Sequence, residues 1–174
     1  MKWKKLTQGL VGNLFYAFLG LLVAVVFYYG ILRLGLATDL PMVAVVSGSM
    51  KHDASAEADF YGWLEKNLGY DRNYINSWPV TGGFAVGDMP VIKGDEEYKV
   101  GDIIVYSVPG SEAPIIHRII KINPDGSYQT KGDNNSSQLP YETKVTKEQI
   151  HGKVLFVIPK VGYFKVLFNK VLGV

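Results

Sequence analysis

The chain has 174 residues, 48% of them hydrophobic and 20% charged, which fits a folded domain plus an anchor and excludes disorder. A net charge of +2 provides no field for nucleic acid, so none is expected as a partner. Cysteine is absent, so disulfides, thiol nucleophiles and Cys-ligated metal sites are excluded.

Lys2, Lys4 and Lys5 lead into 27 uncharged residues, Leu6 to Leu32, closed by Arg33. A spanning helix needs about 20 such residues, whereas a signal-peptide core runs roughly 7–15 and ends at a small-x-small site. The run is about twice too long for the second reading, and residues 33–40 offer no A-x-A. An uncleaved, single-pass anchor over residues 1–36 is therefore expected, in contact with the lipid bilayer. The lysine excess before it predicts a cytoplasmic N-terminus and an external domain at the cell membrane. From Leu34 the chain reaches Ser49 in 15 residues, at most ~50 Å when extended.

Residues 37–160 read as a mainly β, antiparallel domain. Short apolar runs stand between turn residues: 42–46, "MPVI" (89–92), "DIIVYSV" (102–108), "APIIHRIIKI" (113–122), "SYQT" (127–130) and "KVLFVI" (153–158). Residues 51–83 break the pattern. Helical spacing puts Phe60, Trp63, Leu64 and Leu68 on one face, which predicts a partly helical insertion with its own small core. The end, 161–174, mixes Lys165 and Lys170 with apolar residues, as an amphipathic segment against lipid or the domain does.

The chemistry-bearing stretch is "VSGSM" (46–50). Ser49 at the end of an apolar run suits a nucleophile, with Ser47 and nearby N–H groups as oxyanion donors, provided a base is near. Three histidines exist: His52 in a polar loop, His117 within "IIHRII", and His151 at a strand entrance, read as structural. A half-buried imidazole such as His117 suits a general base. "TKGDNN" (130–135) is ordinary turn chemistry, and it adds Asp133 as a residue to orient His117 or to organise the floor of the site.

In this order, "VSGSM" (46–50), "GDIIVY" (101–106), "HRI" (117–119) and "TKGDNN" (130–135) resemble the type I signal peptidases, in their archaeal and endoplasmic-reticulum branch. The resemblance implies a β catalytic domain behind one N-terminal transmembrane helix, Ser49 as nucleophile, Ser47 in the oxyanion hole and His117 as base. It implies signal-peptide-bearing preproteins as substrates, the translocation machinery as a partner, and neither metal nor cofactor. Two departures stand out. The serine box continues as "SMKHD" instead of S-M-x-P-T, and the aspartate expected six residues after Asp133 is Leu139. Asp133 is then the first candidate for the acid, with Glu142 able to substitute if the loop folds back, or with a bare Ser–His dyad. A competing class is an anchored β-domain that binds extended peptides without cleaving them. A membrane serine peptidase with other substrates shares every motif.

Overall fold

The structure, a computed structural model, describes residues 9–55, 57–111 and 113–163. It divides between Ala37 and Thr38 into two compact units. The first unit is helix α1 (Leu10–Val26), continued by wider π-helical turns over Phe27–Arg33. Its stretch Val11–Gly30 is long and apolar enough to cross a membrane, at ~1.5 Å per residue about the thickness of the hydrocarbon layer. Leu21, Leu22 and Val23 are consecutive, so each points about 100° from the last, and all three are exposed together with Phe15 and Val26, so the helix is apolar around most of its circumference. That is the surface lipid solvates, unlike the single stripe of a helix packed on a core. The flanking lysines and residues 164–174, the bulk of the amphipathic C-terminal segment, lie outside the described residues.

The second unit is built on one antiparallel five-stranded sheet in the order β1-β5-β2-β3-β4. The strands are β1 (Met89–Lys93), β2 (Ile103–Tyr106), β3 (Ile115–Ile122), β4 (Tyr128–Lys131) and β5 (Ile150–Ile158). The β3–β4 hairpin closes on Asn123-Pro124-Asp125-Gly126, with Gly126 at a φ of +81° and its N–H donating to the Asn123 carbonyl at 3.0 Å. In the core strands burial does not alternate, because both faces are covered. One face packs Ile103 and Val105 with Val45, Met50 and Phe84. The other packs Ile104, Tyr106 and Ile119 with Tyr98 and Val145.

Two sequence expectations change in the folded chain. Residues 42–46 run beside β1 but form only one bridge, Met42 to Val91. Pro90 sits in the facing strand and has no N–H to give, so the ladder cannot close. Val43 and Val45 donate to the Pro90 and Asp88 carbonyls at 3.3 and 3.0 Å and still hold the segment in place. The insertion, with α2 (Trp63–Leu68) and α3 (Arg72–Asn76), has the small apolar cluster the sequence predicts, but that cluster also takes in a residue of the sheet. Phe60, Leu64, Ile75 and Trp78 close around Ile120 of β3, so the insertion is the cover of that strand. Fully burying an Ile side chain contributes about 1.5–3 kcal/mol, which rewards this docking over an independent unit.

Candidate active site

The serine turn is held from both sides. Lys51 N–H donates to the Gly48 carbonyl at 3.0 Å and closes the turn, and Phe84 N–H donates to the Met50 carbonyl at 2.9 Å. From the loop after β4, Asn134 N–H donates to the Ser49 carbonyl at 2.7 Å and its side-chain amide to the Gly48 carbonyl at 3.1 Å. Met50, almost fully buried, plugs the turn into the core. Ser47 Oγ and Ser49 Oγ lie 3.2 Å apart at the surface of a cavity of about 500 Å³. Ala113 to His117 of the β3 approach form part of the same cavity wall, so both serines and His117 line one space.

His117 itself is buried, and its Nδ1 meets the carboxylate of the fully buried Glu142. With an oxygen acceptor at Nδ1, that nitrogen carries the ring proton and Nε2 is left as the basic atom. Glu142 ends a 3-10 turn (Pro140–Glu142), and its other oxygen accepts the Leu139 N–H. The carboxylate is thus oriented by the backbone of Leu139, the position six residues after Asp133. Gly132 lies against the ring: a Cβ there would come 2.9 Å from Nε2 and 2.6 Å from the Asn135 amide. Among the described residues Ser49 and His117 share no direct hydrogen bond, since Ser49 Oγ turns to Ser47. In unliganded enzymes such bonds are commonly long and tighten when substrate arrives.

Asp133, the first sequence candidate for the acid, is bonded elsewhere. Its carboxylate receives Arg118 Nε at 2.9 Å, an Arg118 terminal nitrogen at 2.7 Å and His52 Nε2 at 3.0 Å. Arg118 is fully buried and spends its remaining donors on the Pro79, Val80 and Gly101 carbonyls at 2.8, 3.0 and 2.9 Å. All five guanidinium N–H groups therefore have acceptors, the condition under which a buried ion pair persists. Burial pushes the Asp133 carboxyl up, but the Arg118 guanidinium and His52 outweigh it and hold it below the usual carboxylate range. This network joins the insertion, the β3 strand and the "GDNN" loop.

Lys131 is buried beside it, donating to the Asp59 and Gly132 carbonyls at 2.6 and 3.0 Å, with Trp63 5.2 Å from the ammonium. Burial lowers its pKa to about 8, against an opposing pull from Asp133, Asp59 and Glu142. Lys51, the neighbour of the serine turn, is half exposed and pairs with Asp53 at 3.0 Å. His151 lies on β5, bonded to Asp39. Sequence reasoning ranked Asp133 ahead of Glu142 and missed the Arg118 network. The "HR" dipeptide carried its only signal: on a strand, adjacent residues face opposite sides. His117 turns to Glu142 and Arg118 to the insertion.

No family model matches the chain. Curated relatives do. Over 138 residues the chain is 34% identical to a protein of Chaetomium globosum named signal peptidase complex catalytic subunit SEC11, covering 75% of this chain and 64% of that one. A Sclerotinia sclerotiorum protein of the same name is 37% identical over 83 residues, 43% of this chain and 48% of its own length. A third, from Pyricularia oryzae, is 29% identical over 147 residues, 79% of this chain and 70% of the relative. The match thus spans from about half to about two thirds of these relatives' lengths.

Proposed function

We propose that this chain is a membrane-anchored type I signal peptidase of the Ser–His kind, removing N-terminal signal peptides from translocated preproteins. The observation that carries the reading is the shared cavity: Ser49, Ser47 and His117 line it, and a buried carboxylate holds the far nitrogen of the ring. The similarity to proteins named as catalytic subunits of the signal peptidase complex supports the same activity.

The substrate enters as an extended strand. In an extended run, successive N–H groups point to opposite sides. Val43 and Val45 use theirs on β1, whereas those of Ala44 and Val46 have no backbone partner among the described residues. On the facing wall, β3 pairs with β4 only from Arg118 onward, so Ile115 to His117 are open on that side. A peptide between these edges finds main-chain partners on both flanks. His117 Nε2 takes the Ser49 proton, and Oγ attacks the scissile carbonyl. Ser47 Oγ and the Ser49 N–H hold the oxyanion. The leaving amine takes the proton back, and His117 activates water to release the acyl-enzyme. Glu142 fixes the tautomer and supports the imidazolium; Asp133 holds the loop that carries Asn134.

The anchor keeps this chemistry at the membrane, with the N-terminus cytoplasmic, a single span, and the catalytic domain on the outer face of the cell membrane beside the translocation machinery. The solubilised full chain, given a precursor with an A-x-A site, tests the activity. The wild type cleaves after the second alanine, and Ser49→Ala and His117→Ala fall by about 10³-fold or more. Cleavage by Ser49→Ala at the wild-type rate overturns the assignment, and binding without cleavage by the wild type favours a peptide-binding domain.

A further inference from the structure

His151 stands outside the site built on Ser49, and its placement comes from an irregularity. Val105 pairs with Gly152 and Tyr106 with Ile150, so His151 is the extra residue of a bulge between β5 and β2. Bulges re-aim a side chain at the expense of ladder bonds. Gly152 permits this one: its φ is +152°, and a Cβ there would stand 2.4 Å from the Lys93 carbonyl oxygen. The imidazole is engaged at both nitrogens. Nδ1 lies 2.9 and 3.1 Å from the two carboxylate oxygens of Asp39, and Nε2 lies 2.8 Å from Ser107 Oγ. The buried Thr38 hydroxyl donates to the His151 carbonyl at 2.7 Å, tying the residue before Asp39 to the same point.

We propose that Ser107, His151 and Asp39 form a second nucleophilic site, one that accepts small carboxylic esters. With Asp39 accepting at Nδ1, Nε2 accepts the Ser107 O–H. A hydroxyl, a base within hydrogen-bond reach and a third group orienting that base are the parts that activate a serine. Ser107 and Asp39 are exposed and His151 only partly covered, so a small ester reaches the hydroxyl without any opening of the fold. The N–H of Val108, next after the nucleophile, has no hydrogen-bond partner among the described residues and is free for an oxyanion. The site has exposed walls, which selects small, activated esters over polypeptide.

In the reaction Ser107 Oγ bonds to the ester carbonyl carbon as its proton passes to His151 Nε2. The carbon–oxygen bond to the alcohol breaks, and the departing alkoxide takes that proton. Water then adds to the acyl-Ser107, giving a proton to Nε2. Cleavage of the bond to Oγ releases the carboxylic acid, and the proton returns to Ser107. Ester and water become acid and alcohol.

The test uses the full chain in detergent micelles carrying Ser49→Ala, so that failure leaves the reading of Ser49 untouched. The protein is treated with 4-nitrophenyl acetate, and acetylation is mapped by peptide mass spectrometry at early times. Ser107 is expected to acetylate about tenfold or more faster than the exposed Ser136. His151→Gln and Asp39→Asn lower that rate toward the Ser136 level. Their thermal unfolding, recorded in parallel, confirms that the variants fold. If Ser107 reacts no faster than Ser136, or equally fast in folded His151→Gln protein, the proposal is overturned and the contacts serve only to tie residues 38–40 to the sheet.

Discussion

Glu142 and His117, 25 residues apart in the chain, meet as a buried carboxylate and imidazole, and the Leu139 backbone holds the carboxylate's second oxygen. This carboxylate comes from a 3-10 turn and lies three residues beyond Leu139.

Replacing Glu142 by Gln keeps the size but lets an amide N–H face Nδ1, which favours the wrong tautomer. We predict kcat on an A-x-A precursor to fall by on the order of 10²- to 10⁴-fold with KM little changed. Steady-state cleavage kinetics check it; wild-type kcat in Glu142→Gln would remove Glu142 from the mechanism.

Asp133→Asn is expected to act on folding. It leaves the Arg118 charge buried without its partner, a loss of about 3–5 kcal/mol, to be read from urea unfolding of the solubilised chain. The pH dependence follows from the same pair. Because the folded carboxyl titrates below its unfolded value, its contribution is complete above the unfolded pKa of about 4 and is lost as pH falls through the folded value. Wild-type stability therefore declines on the acid side below about pH 4, and Asp133→Asn shows a shallower decline there.

At the alkaline end Lys131 gives a slope of the same sign from the opposite cause, since burial disfavours its charge. Its folded pKa is about 8 against an ordinary 10.5, so between these values the unfolded chain binds the extra proton and stability rises with pH. Lys131→Met is predicted to lack this rise in a difference curve of unfolding free energy from pH 7.5 to 10.5 (window from about 8 to about 10.4). Parallel wild-type and variant curves would contradict it.

Gly132→Ala tests the packing against the base. The added methyl displaces either Asn135 or the His117 ring, and a misplacement of about 1 Å costs roughly 10² in rate. Cleavage is expected to fall by about that factor with unfolding little altered; undiminished kcat means that the Asn135 amide alone gives way.

What the residues by themselves determined were the features with a local or periodic cause. The uncharged run ahead of Arg33 reads as a spanning helix from its length alone, and Asn123-Pro124-Asp125-Gly126 specifies a hairpin from its backbone preferences. Each of the five strands overlaps one of the runs named from the sequence, although β5 starts three residues before its run, at Ile150. Tertiary structure alone decided which carboxylate meets which base. Asp133 and Glu142 both follow β4 in irregular segments without periodicity, and their partners come from adjacent residues of β3 that face opposite sides. It also decided that 42–46 would not pair regularly, because Pro90 stands in the facing strand, and that the insertion would close on Ile120. These outcomes depend on which surfaces are buried together, and burial energy belongs to the assembled core, not to any short stretch of chain.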